Sequence, residues 1–231
     1  HIEEERLRSV TKEILMTQGI SEKDALLATD ALIKADLRGV ESHGVSNMLR
    51  AYLGAFQSNS LNPKPNWKIV KETASCATIN SDNGLGIVVA PQAMEIAVEK
   101  AKKTGAGIVT MNNCGHLGML AYHSMIASDN DMIGTTMAAC SPRMVPTYSS
   151  VRALGTNPIS YSAPADKLPD FVFDAAMTSV AGNKIVLASR LNVPLSPGWI
   201  ADKDGNPIME EVNIEELNHE DESKNLENRY N

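Results

Sequence analysis

An apolar segment followed by a polar turn and a helical pattern constrains the fold more than any other feature of this sequence. Residues 107–111 are apolar and typical of a short buried strand, and residues 112–116 are polar and contain glycine. Residues 117–128 then carry apolar side chains at helical spacing. A strand, a turn and a helix in this order favour an α/β fold, in which loops after strands often carry functional groups. His116 lies on this turn and is the first candidate for a catalytic residue.

The N-terminal part of the chain has three helical patterns. Apolar spacing predicts a first helix that ends before Gly19, and a second that follows Ser21 and ends near Gly39. Ser21 is followed three residues later by an aspartate, which is close to a capping box at a helix start. A third helix is predicted after residues 40–44. The first 60 or so residues are therefore expected to be helical.

A second histidine, His43, lies just before the third predicted helix, on a turn that contains glycine. Asn47 and Arg50 lie on that helix, and Arg50 is off its apolar stripe. A histidine can give or take a proton near pH 7, and an arginine can hold a carboxylate through two parallel hydrogen bonds. Together these residue types suit the interconversion of a hydroxy acid and an oxo acid.

Helix and strand patterns alternate in the rest of the chain. Pro63 and Pro65 make a stiff, extended connection, and a domain boundary is expected near them. Pro91 is expected in the first turn of a helix that ends before Gly105. Strands are predicted at 67–70, 77–80, 132–137, 159–163 and 171–173, a further helix at 180–191, and turns at 82–84 and 202–205. This alternation agrees with an α/β fold.

Residues 140–158 form a long polar segment that is rich in proline, serine and glycine. The segment shows no helical or strand periodicity. Segments of this length without secondary structure in a compact domain are usually functional or mobile. This loop is therefore expected to be functional or mobile.

Composition and charge exclude several classes of protein. No apolar run approaches the roughly 18 residues that span a bilayer, and the start has no signal-peptide pattern. The three cysteines form no CxxC pair, so no disulfide framework is expected. This cysteine usage favours a location in the reducing cytoplasm. Residues 1–208 hold 20 acidic and 19 basic residues without a basic stripe, which argues against nucleic-acid binding. Residues 209–231 hold eight acidic and two basic residues and form a separate acidic tail.

Two other chemistries compete for the histidines. A zinc site is not expected, because it would need a third ligand, and His116 and His123 are seven positions apart. A hydrolase built on Ser42 or Ser141 would need a nucleophile motif such as GxSxG, which the sequence lacks. Cys114 lies two residues from His116, but neighbours on a turn need not face each other, and a small residue in a tight turn is the favoured interpretation. His123 itself is expected on the surface of its helix.

A nicotinamide cofactor would exchange the hydride in such a reaction, yet no dinucleotide-binding fingerprint follows a predicted strand. The nearest glycine pattern, at residues 105–110, precedes its strand instead of following it. The residue patterns by themselves therefore identify no cofactor site.

Six motifs follow one another along roughly residues 3–208. They are ADLRGVESHGVSNMLRAY at 35–52, DNGLG at 82–86, NNCGHLG at 112–118, LGTNPI at 154–159, FDAAMTSVAGNKI at 173–185 and GWIADKDGNP at 198–207. In this order they resemble the malate/L-lactate dehydrogenase family, which is distinct from the Rossmann-type malate and lactate dehydrogenases. The resemblance implies a helical N-terminal domain at 1–65 and a mixed-sheet NAD(P)-binding domain of non-Rossmann topology at 66–208. It also implies NAD or NADP as cofactor, a small carboxylate as substrate and a homodimer.

The resemblance also implies roles for individual residues. His116 matches the family's general acid/base, and His43 matches a histidine that has the proton-donor role in other members. The substrate is expected to contact Ser42, Asn47 and Arg50. The cofactor is expected to contact Cys140, Ser141, Pro142, Thr156, Asn157, Asp174, Ala175, Ala176 and Met177.

Two departures from the family pattern bear on function. Many members carry arginine four residues after the histidine of the SHG motif, and here that position is Asn47, so Arg50 is the nearest substitute. Members also continue well beyond residue 207 with a segment that completes the cofactor domain, whereas residues 211–231 here are acidic. The expected enzyme acts on an acid of the malate or lactate type. A cyclic imino-acid reductase and a truncated, non-catalytic relative are the alternatives.

Overall fold

Helices and two small sheets make up the computed structural model, which describes residues 2–214. The helices are α1 (Glu4–Met16), α2 (Glu22–Leu37), α3 (Val45–Gln57), α4 (Gly86–Thr104), α5 (Ala121–Ser128) and α6 (Gly182–Leu191), and a short 3₁₀ helix at Glu41–His43 precedes α3. The strands are β1 (Lys68–Glu72), β2 (Cys76–Gly84), β3 (Ile108–Cys114), β4 (Gly134–Met137), β5 (Ile159–Ala163) and β6 (Phe171–Ala175). The predicted mixed α/β class is confirmed. Within residues 2–214, no helix is both long and apolar enough to cross a membrane.

The described residues divide into two compact units. The first unit contains the chain up to Thr136 together with Ser160–Phe173. The second contains Met137–Ile159 and the chain from Asp174 onward. The three domain spans expected from the sequence stay predictions, and most of the predicted acidic tail lies outside the described residues.

The three predicted N-terminal helices are confirmed, and the start of α2 shows why the sequence predicted it well. The Ser21 side chain accepts a hydrogen bond of 3.2 Å from the backbone N–H of Asp24. The Ser21 hydroxyl also donates to the Asp24 carboxylate at 2.7 Å, so the two side chains close the helix start together. α2 ends at Leu37, and Gly39 follows with a left-handed φ of 73°, which glycine adopts without strain.

One hydrophobic core joins these helices to later parts of the first unit. Leu15 of α1 and Leu32 of α2 are almost fully buried, and Tyr52 of α3 is 2% exposed. The same core takes Ile87 from α4 and Tyr122 from α5. Burial of an aliphatic side chain of this size stabilises the fold by roughly 1.5–3 kcal/mol. The helices that follow the two candidate histidine turns therefore share one core.

A single carboxylate, Asp30 on α2, links three elements around this core. It accepts hydrogen bonds from the Tyr122 hydroxyl of α5 at 2.8 Å and from Arg8 Nη1 of α1 at 3.0 Å. Lys34 Nζ lies 3.4 Å from the same carboxylate. Burial alone would raise the pKa of Asp30, but these three partners stabilise the charged form and lower it. The carboxylate therefore joins α1, α2 and α5.

Replacing Asp30 with asparagine tests this link. We expect a loss of about 1–2 kcal/mol in the free energy of unfolding, because hydrogen bonds to a partly buried charge are lost. Urea denaturation measures the change, and Asp129→Asn is the control, because Asp129 is exposed at the end of α5. Equal denaturation midpoints for the two variants would contradict the link.

The first sheet is mixed, with the order β1-β2-β3, β1 antiparallel to β2, and β3 parallel to it. The sequence predicts a turn at residues 82–84, but this is wrong. The structure keeps these residues in β2 and shifts the register between Asn80 and Gly84. Asp82 and Asn83 take left-handed φ angles of 51° and 54° there. The turn-forming residues therefore make an irregularity within the strand, because pairing with β3 resumes at Gly84.

α4 begins earlier than the sequence predicts. Pro91 is not in the first turn, because the helix begins at Gly86 and Pro91 is its sixth residue. A proline inside a helix removes one backbone hydrogen bond and costs about 3 kcal/mol. Residues 86–90 are all buried, and their burial offsets that cost. The predicted end is confirmed, with Gly105 in the left-handed conformation after Thr104.

The second sheet has the order β4-β5-β6. β5 coincides with the prediction, whereas β4 begins two residues later and β6 continues two residues further than predicted. Ser160 and Ser162 of β5 are fully buried. Ser124 Oγ of α5 lies 2.8 Å from Ser160 Oγ and 2.7 Å from Ser162 Oγ. This buried hydroxyl cluster fixes α5 against β5.

The second unit contains the long loop, α6 and a tight turn. All of residues 140–158 are described, and they form no helix or strand, as predicted, apart from a single bridge between Met144 and Leu154. α6 begins two residues after its predicted start. A hydrogen bond of 3.1 Å from the Gly205 N–H to the Asp202 carbonyl oxygen confirms the predicted turn. The core of this unit contains Val180, Ile185, Ala188, Leu195, Ile200 and Ile214.

Candidate active site

His116 lies on the segment that connects β3 to α5. The strand ends three residues later than predicted, because its parallel pairing with β2 continues through Cys114. The helix begins later than predicted, at Ala121 instead of Leu117. Residues 115–120 therefore form the turn that presents His116, and the predicted place of this histidine between a strand and a helix is confirmed.

Gly86, the first residue of α4, leaves room for the backbone of this turn. A Cβ atom at Gly86 would overlap the Gly115 carbonyl oxygen and would lie 2.6 Å from the carbonyl oxygen of His116. The Gly115 N–H also donates a hydrogen bond of 2.9 Å to the Gly84 carbonyl oxygen. The glycines of the DNGLG motif therefore hold the backbone on which His116 sits.

His43 and His116 stack on each other. Their ring centroids are 5.5 Å apart, and the rings are inclined by only 13°. The Tyr52 hydroxyl oxygen, from α3, lies 2.9 Å from Nδ1 of His116. Tyr52 is 2% exposed, and burial raises its pKa, so the hydroxyl stays protonated. Segments far apart in the sequence thus bring a histidine pair and a phenol together.

The hydrogen bonds at His116 assign its protonated nitrogen. The backbone N–H of Gly118 can only donate, and it lies 3.3 Å from Nδ1 of His116. Nδ1 therefore acts as an acceptor, and the proton of the neutral ring lies on Nε2. The Tyr52 hydroxyl can rotate to donate to Nδ1 or to accept from it, so it is compatible with either protonation state of the ring.

Burial keeps both rings neutral near pH 7. It lowers the pKa of His43, and it lowers the pKa of His116 to about 4, with smaller contributions from His43 and His123. The His116 side chain nevertheless keeps a solvent-exposed part, which is where a substrate can approach. A neutral imidazole suits the removal of a proton from a hydroxyl group.

We expect acid to destabilise the first unit through its buried histidine, His123. Burial also lowers the pKa of His123 to about 4, from an ordinary value near 6.5. The unfolded chain then binds more protons than the folded chain between about pH 6.5 and 4, so the free energy of unfolding falls as the pH falls through this window.

Denaturant titrations at about pH 7 and about pH 5 measure this effect, and we expect His123 to contribute a loss of about 1–2 kcal/mol. The matched variant is His123→Gln, which cannot titrate in this range and should lose that much less. The same pH dependence in both chains would contradict the prediction.

Three side chains hold the turn that carries His43. Ser42 Oγ lies 2.9 Å from Nδ1 of His43, and Asn47 Nδ2 donates a hydrogen bond of 2.9 Å to the Ser42 carbonyl oxygen. Asp36 Oδ2 accepts a hydrogen bond of 2.9 Å from the Val45 N–H at the start of α3. The structure therefore brings Ser42 and Asn47 to His43. Their contact with a substrate stays a prediction.

Arg50 is not brought to the histidine pair. Its side chain is exposed on α3. Two positions along a helix correspond to roughly 200° around its axis, so Arg50 lies on the side of α3 opposite to Tyr52. A contact between Arg50 and a substrate carboxylate stays a prediction.

The second unit brings the predicted cofactor-binding segments together. The Asn157 side-chain oxygen accepts a hydrogen bond of 3.0 Å from the Cys140 N–H, which joins the two ends of the long loop. The Met177 N–H donates at 2.8 Å to the Thr156 carbonyl oxygen, which joins the chain after β6 to the same loop. Gly155 permits the close approach, because a Cβ atom there would overlap the Cys140 carbonyl oxygen. Contact with a cofactor stays a prediction for these segments.

Sequence analysis missed the roles of Tyr52, Gly86 and His123. The prediction that His123 lies on a helix surface is wrong, because its side chain is 1% exposed. α5 is buried around most of its circumference, with six of its eight residues buried, so a helical period alone does not reveal an exposed side. A buried tyrosine needs a partner for its hydroxyl, and that requirement was the available signal for Tyr52.

Other groups of the first unit are weaker candidates for a functional site than the histidine pair. Within residues 2–214, no three His, Cys, Asp or Glu side chains gather in a way that could hold a metal ion. Burial raises the pKa of the Cys114 thiol, which disfavours the thiolate that a Cys–His nucleophile needs. A cavity of about 620 Å³ lies along β1 and α4, and its lining residues, which include Trp67, Ile96 and Lys100, contain no histidine. The histidine pair is therefore the candidate site of this unit.

Comparisons with known proteins identify relatives of the chain. A model of the family described as malate/L-lactate dehydrogenase matches residues 2–216. An L-sulfolactate dehydrogenase from Methanocaldococcus jannaschii is 39% identical over 198 residues, which cover 86% of this chain and 57% of the relative. A malate dehydrogenase from Pyrococcus horikoshii is 38% identical over 205 residues, which cover 89% of this chain and 56% of the relative.

The solved structure of one of these relatives has a similar fold. The solved structure of sulfolactate dehydrogenase from Methanocaldococcus jannaschii matches with a TM-score of 0.82 at 36% identity, over 92% of this chain and 63% of that chain. The chain spans a little more than half the length of the curated relatives it matches. From the sequence match and the shared fold, we conclude that this chain belongs to the malate/L-lactate dehydrogenase family.

Proposed function

We propose that this chain provides the proton-transfer site of an NAD(P)-dependent oxidoreductase that interconverts a small 2-hydroxy acid and its 2-oxo acid. The observation that carries the proposal is the His116 imidazole, stacked on His43 and hydrogen-bonded to Tyr52 in a chain of a dehydrogenase family. Malate and lactate are the first substrates to test, because the family is named for them.

His116 is proposed to move the proton. Before an oxidation, the proton that the resting ring holds on Nε2 moves to Nδ1, where the Tyr52 oxygen can accept it, and Nε2 then takes the proton of the substrate hydroxyl. In the reductive direction the ring first takes a second proton from solvent on Nδ1, and its Nε2 proton then goes to the carbonyl oxygen of the 2-oxo acid, which leaves the imidazole neutral. His43, 5.5 Å away between ring centroids, is proposed to orient the substrate or to relay the proton. When bound, the nicotinamide supplies or accepts the hydride.

The second unit is proposed to bind NAD or NADP as part of a cofactor domain of non-Rossmann topology. Three segments with exposed residues are joined there by hydrogen bonds, so their polar groups are accessible next to one another. Such an arrangement fits an extended dinucleotide, which needs many polar contacts along its length. The proposed contacts are Cys140, Ser141, Pro142, Thr156, Asn157, Asp174, Ala175, Ala176 and Met177.

Arg50 does not face Tyr52 on α3, but its long side chain is exposed, and we propose that it binds the substrate carboxylate, with Ser42 and Asn47 as further substrate contacts. We expect Arg50→Gln to raise KM about tenfold with little change in kcat, because a charged hydrogen bond contributes about 1.5–3 kcal/mol and acts in both ground and transition states. Steady-state kinetics measure both constants, and Arg6→Gln on the exposed surface of α1 is the control. An unchanged KM would remove Arg50 from the substrate site.

The experiment that tests the proposed function is a turnover assay with the purified chain. Oxidation of NADH and NADPH is followed with oxaloacetate, pyruvate, sulfopyruvate, a diketogulonate and a cyclic imine. We expect turnover of a 2-oxo acid, and the nucleotide that reacts faster identifies the cofactor. Turnover of the imine alone would instead identify an imino-acid reductase. A chain that shows no turnover and does not bind NADH would be a non-catalytic relative. This outcome is included because the chain covers only part of its relatives' length.

We also propose that the protein is a homodimer, as the family resemblance implies, and that it is cytoplasmic, as its cysteine usage favours. Light scattering coupled to size-exclusion chromatography measures the molar mass in solution. A mass near twice the 24.9 kDa of the chain is expected, and a mass near 24.9 kDa would contradict the homodimer.

A further inference from the structure

The peptide group between Leu117 and Gly118 contacts a histidine ring at each of its ends. Its carbonyl oxygen lies 2.7 Å from Nε2 of His123 on α5. Its N–H, which belongs to Gly118, donates to Nδ1 of His116 at 3.3 Å. One peptide group therefore connects the buried histidine of α5 to the candidate catalytic histidine.

His123 acts in this contact as a donor. A carbonyl oxygen accepts hydrogen bonds and cannot donate, so the proton of the neutral His123 ring lies on Nε2. The ring is 1% exposed, and burial lowers the pKa of His123 to about 4, so the neutral form persists near pH 7. Its other nitrogen, Nδ1, is buried without a hydrogen-bond partner among the described residues.

The unpaired Nδ1 makes histidine a destabilising choice at position 123. A buried polar atom without a partner costs free energy that an apolar ring would not. The His123 ring packs edge-on against Tyr122, with centroids 5.6 Å apart, and a phenylalanine could make that contact as well. Among the described residues, the hydrogen bond to Leu117 is therefore what distinguishes histidine from an apolar aromatic side chain here.

The orientation of the linking peptide matters for the His116 ring. Gly118 has a φ of 65°, which lets its N–H point back to His116. A donor at the carbonyl end of a peptide polarises it and strengthens its N–H as a donor. That N–H occupies the lone pair of Nδ1, and the proton of neutral His116 is then held on Nε2.

We propose that His123 is a positioning residue for His116, and that it acts through the Leu117–Gly118 peptide to set the orientation and the tautomer of the His116 ring. This proposal rests on the proposed role of His116 in proton transfer. It assigns Nε2 of His116 as the nitrogen that presents a proton to the carbonyl oxygen of a 2-oxo acid.

Nitrogen-15 spectra of the histidine rings test the tautomers in the unmodified chain. The His116 signals are assigned by their absence from the His116→Gln variant. Near pH 7 we expect both His116 and His123 as neutral rings with the proton on Nε2. A proton on Nδ1 of either ring would overturn the proposal, whatever the turnover of the chain.

Two amide side chains at position 123 separate the hydrogen bond from the burial of a polar group. In His123→Gln the amide nitrogen lies near the place of Nε2 and can reach the Leu117 carbonyl oxygen. In His123→Asn it lies near the place of Nδ1 and cannot. We expect the Asn variant to lose about 10- to 100-fold in kcat, with little change in KM, and to mix the His116 tautomers. The Gln variant should retain most of the kcat and the Nε2–H tautomer.

The outcomes separate this proposal from the proposed function. A parental kcat and a parental His116 spectrum in the Asn variant would overturn the role of His123, while loss of turnover in His116→Gln would still support the proposed function. If the unmodified chain turns over no substrate, the proposed function fails and the spectra alone decide about His123. If either variant unfolds, the spectra of the unmodified chain still decide whether His123 has this role.

Discussion

Turnover of the preferred 2-oxo acid is expected to fall about 100- to 10,000-fold in the His116→Gln variant. Glutamine keeps hydrogen-bonding groups near the place of the ring but can neither take nor give a proton near pH 7. The loss should appear in kcat and in kcat/KM alike, because the proton moves in the transition state. NADH binding, followed by fluorescence, should be unchanged, because His116 is not among the proposed cofactor contacts.

The matched comparison is His43→Gln, in the other ring of the stack. A smaller loss is expected there, because His43 is proposed to orient the substrate or relay the proton and not to exchange it with the substrate oxygen. A larger loss in His43→Gln than in His116→Gln would exchange the two roles. Unchanged turnover in His116→Gln would contradict the assignment of His116 altogether.

Replacing Gly86 with alanine is expected to lower turnover about 100-fold, although this substitution removes no side chain that transfers a proton. The added methyl group would overlap the Gly115 carbonyl oxygen and crowd that of His116, and these backbone atoms cannot rotate away as a side chain can. The His116 turn or the start of α4 must then shift. We expect a cost of about 1–3 kcal/mol in the free energy of unfolding from the same overlap.

Gly54→Ala is the control for this prediction. Gly54 lies inside α3, and a Cβ atom there would meet nothing within 4 Å. Alanine is favoured over glycine in a helix interior by about 1 kcal/mol, so this variant should be slightly more stable and fully active. If the Gly86→Ala variant had the same turnover and stability as the Gly54→Ala variant, the close contact between Gly86 and the His116 turn would not matter for either property.

Local patterns predict most of the elements of this fold. Apolar spacing and caps place α1, α2 and α3 correctly, because a buried helical stripe is visible in the sequence whatever packs against it. The errors occur where distant contacts decide. β3 continues through its polar residues because β2 pairs with it, and α4 begins before Pro91 because its first turn is buried.

The surroundings of His116 depend on contacts that sequence spacing does not show. Tyr52 lies 64 positions from His116, and on its own helix it falls on the apolar face. Nothing in the pattern of α5 marks His123 as buried, because that helix is enclosed around most of its circumference. The candidate catalytic residue was therefore predictable from its turn, whereas the groups that hold it were not.

The predicted cofactor contacts came from the family resemblance and not from residue spacing. No spacing rule pairs Cys140 with Asn157, 17 positions away, and the resemblance to a known family supplied both residues. The structure adds a physical reason for their proximity. Gly155 has no side chain, so the two ends of the long loop can approach each other at the backbone.

The shared carboxylate of Asp30 has a consequence for how the first unit opens. It connects the first helix of the chain to a tyrosine on α5 that is 92 positions from Asp30 in sequence. Elements that share a partly buried charge lose its stabilisation together when any of them detaches, so we expect them to exchange their amide hydrogens as one cooperative unit. Fraying of α1 is therefore transmitted to the helix that anchors the His116 turn, although α1 itself contributes no residue to the histidine pair.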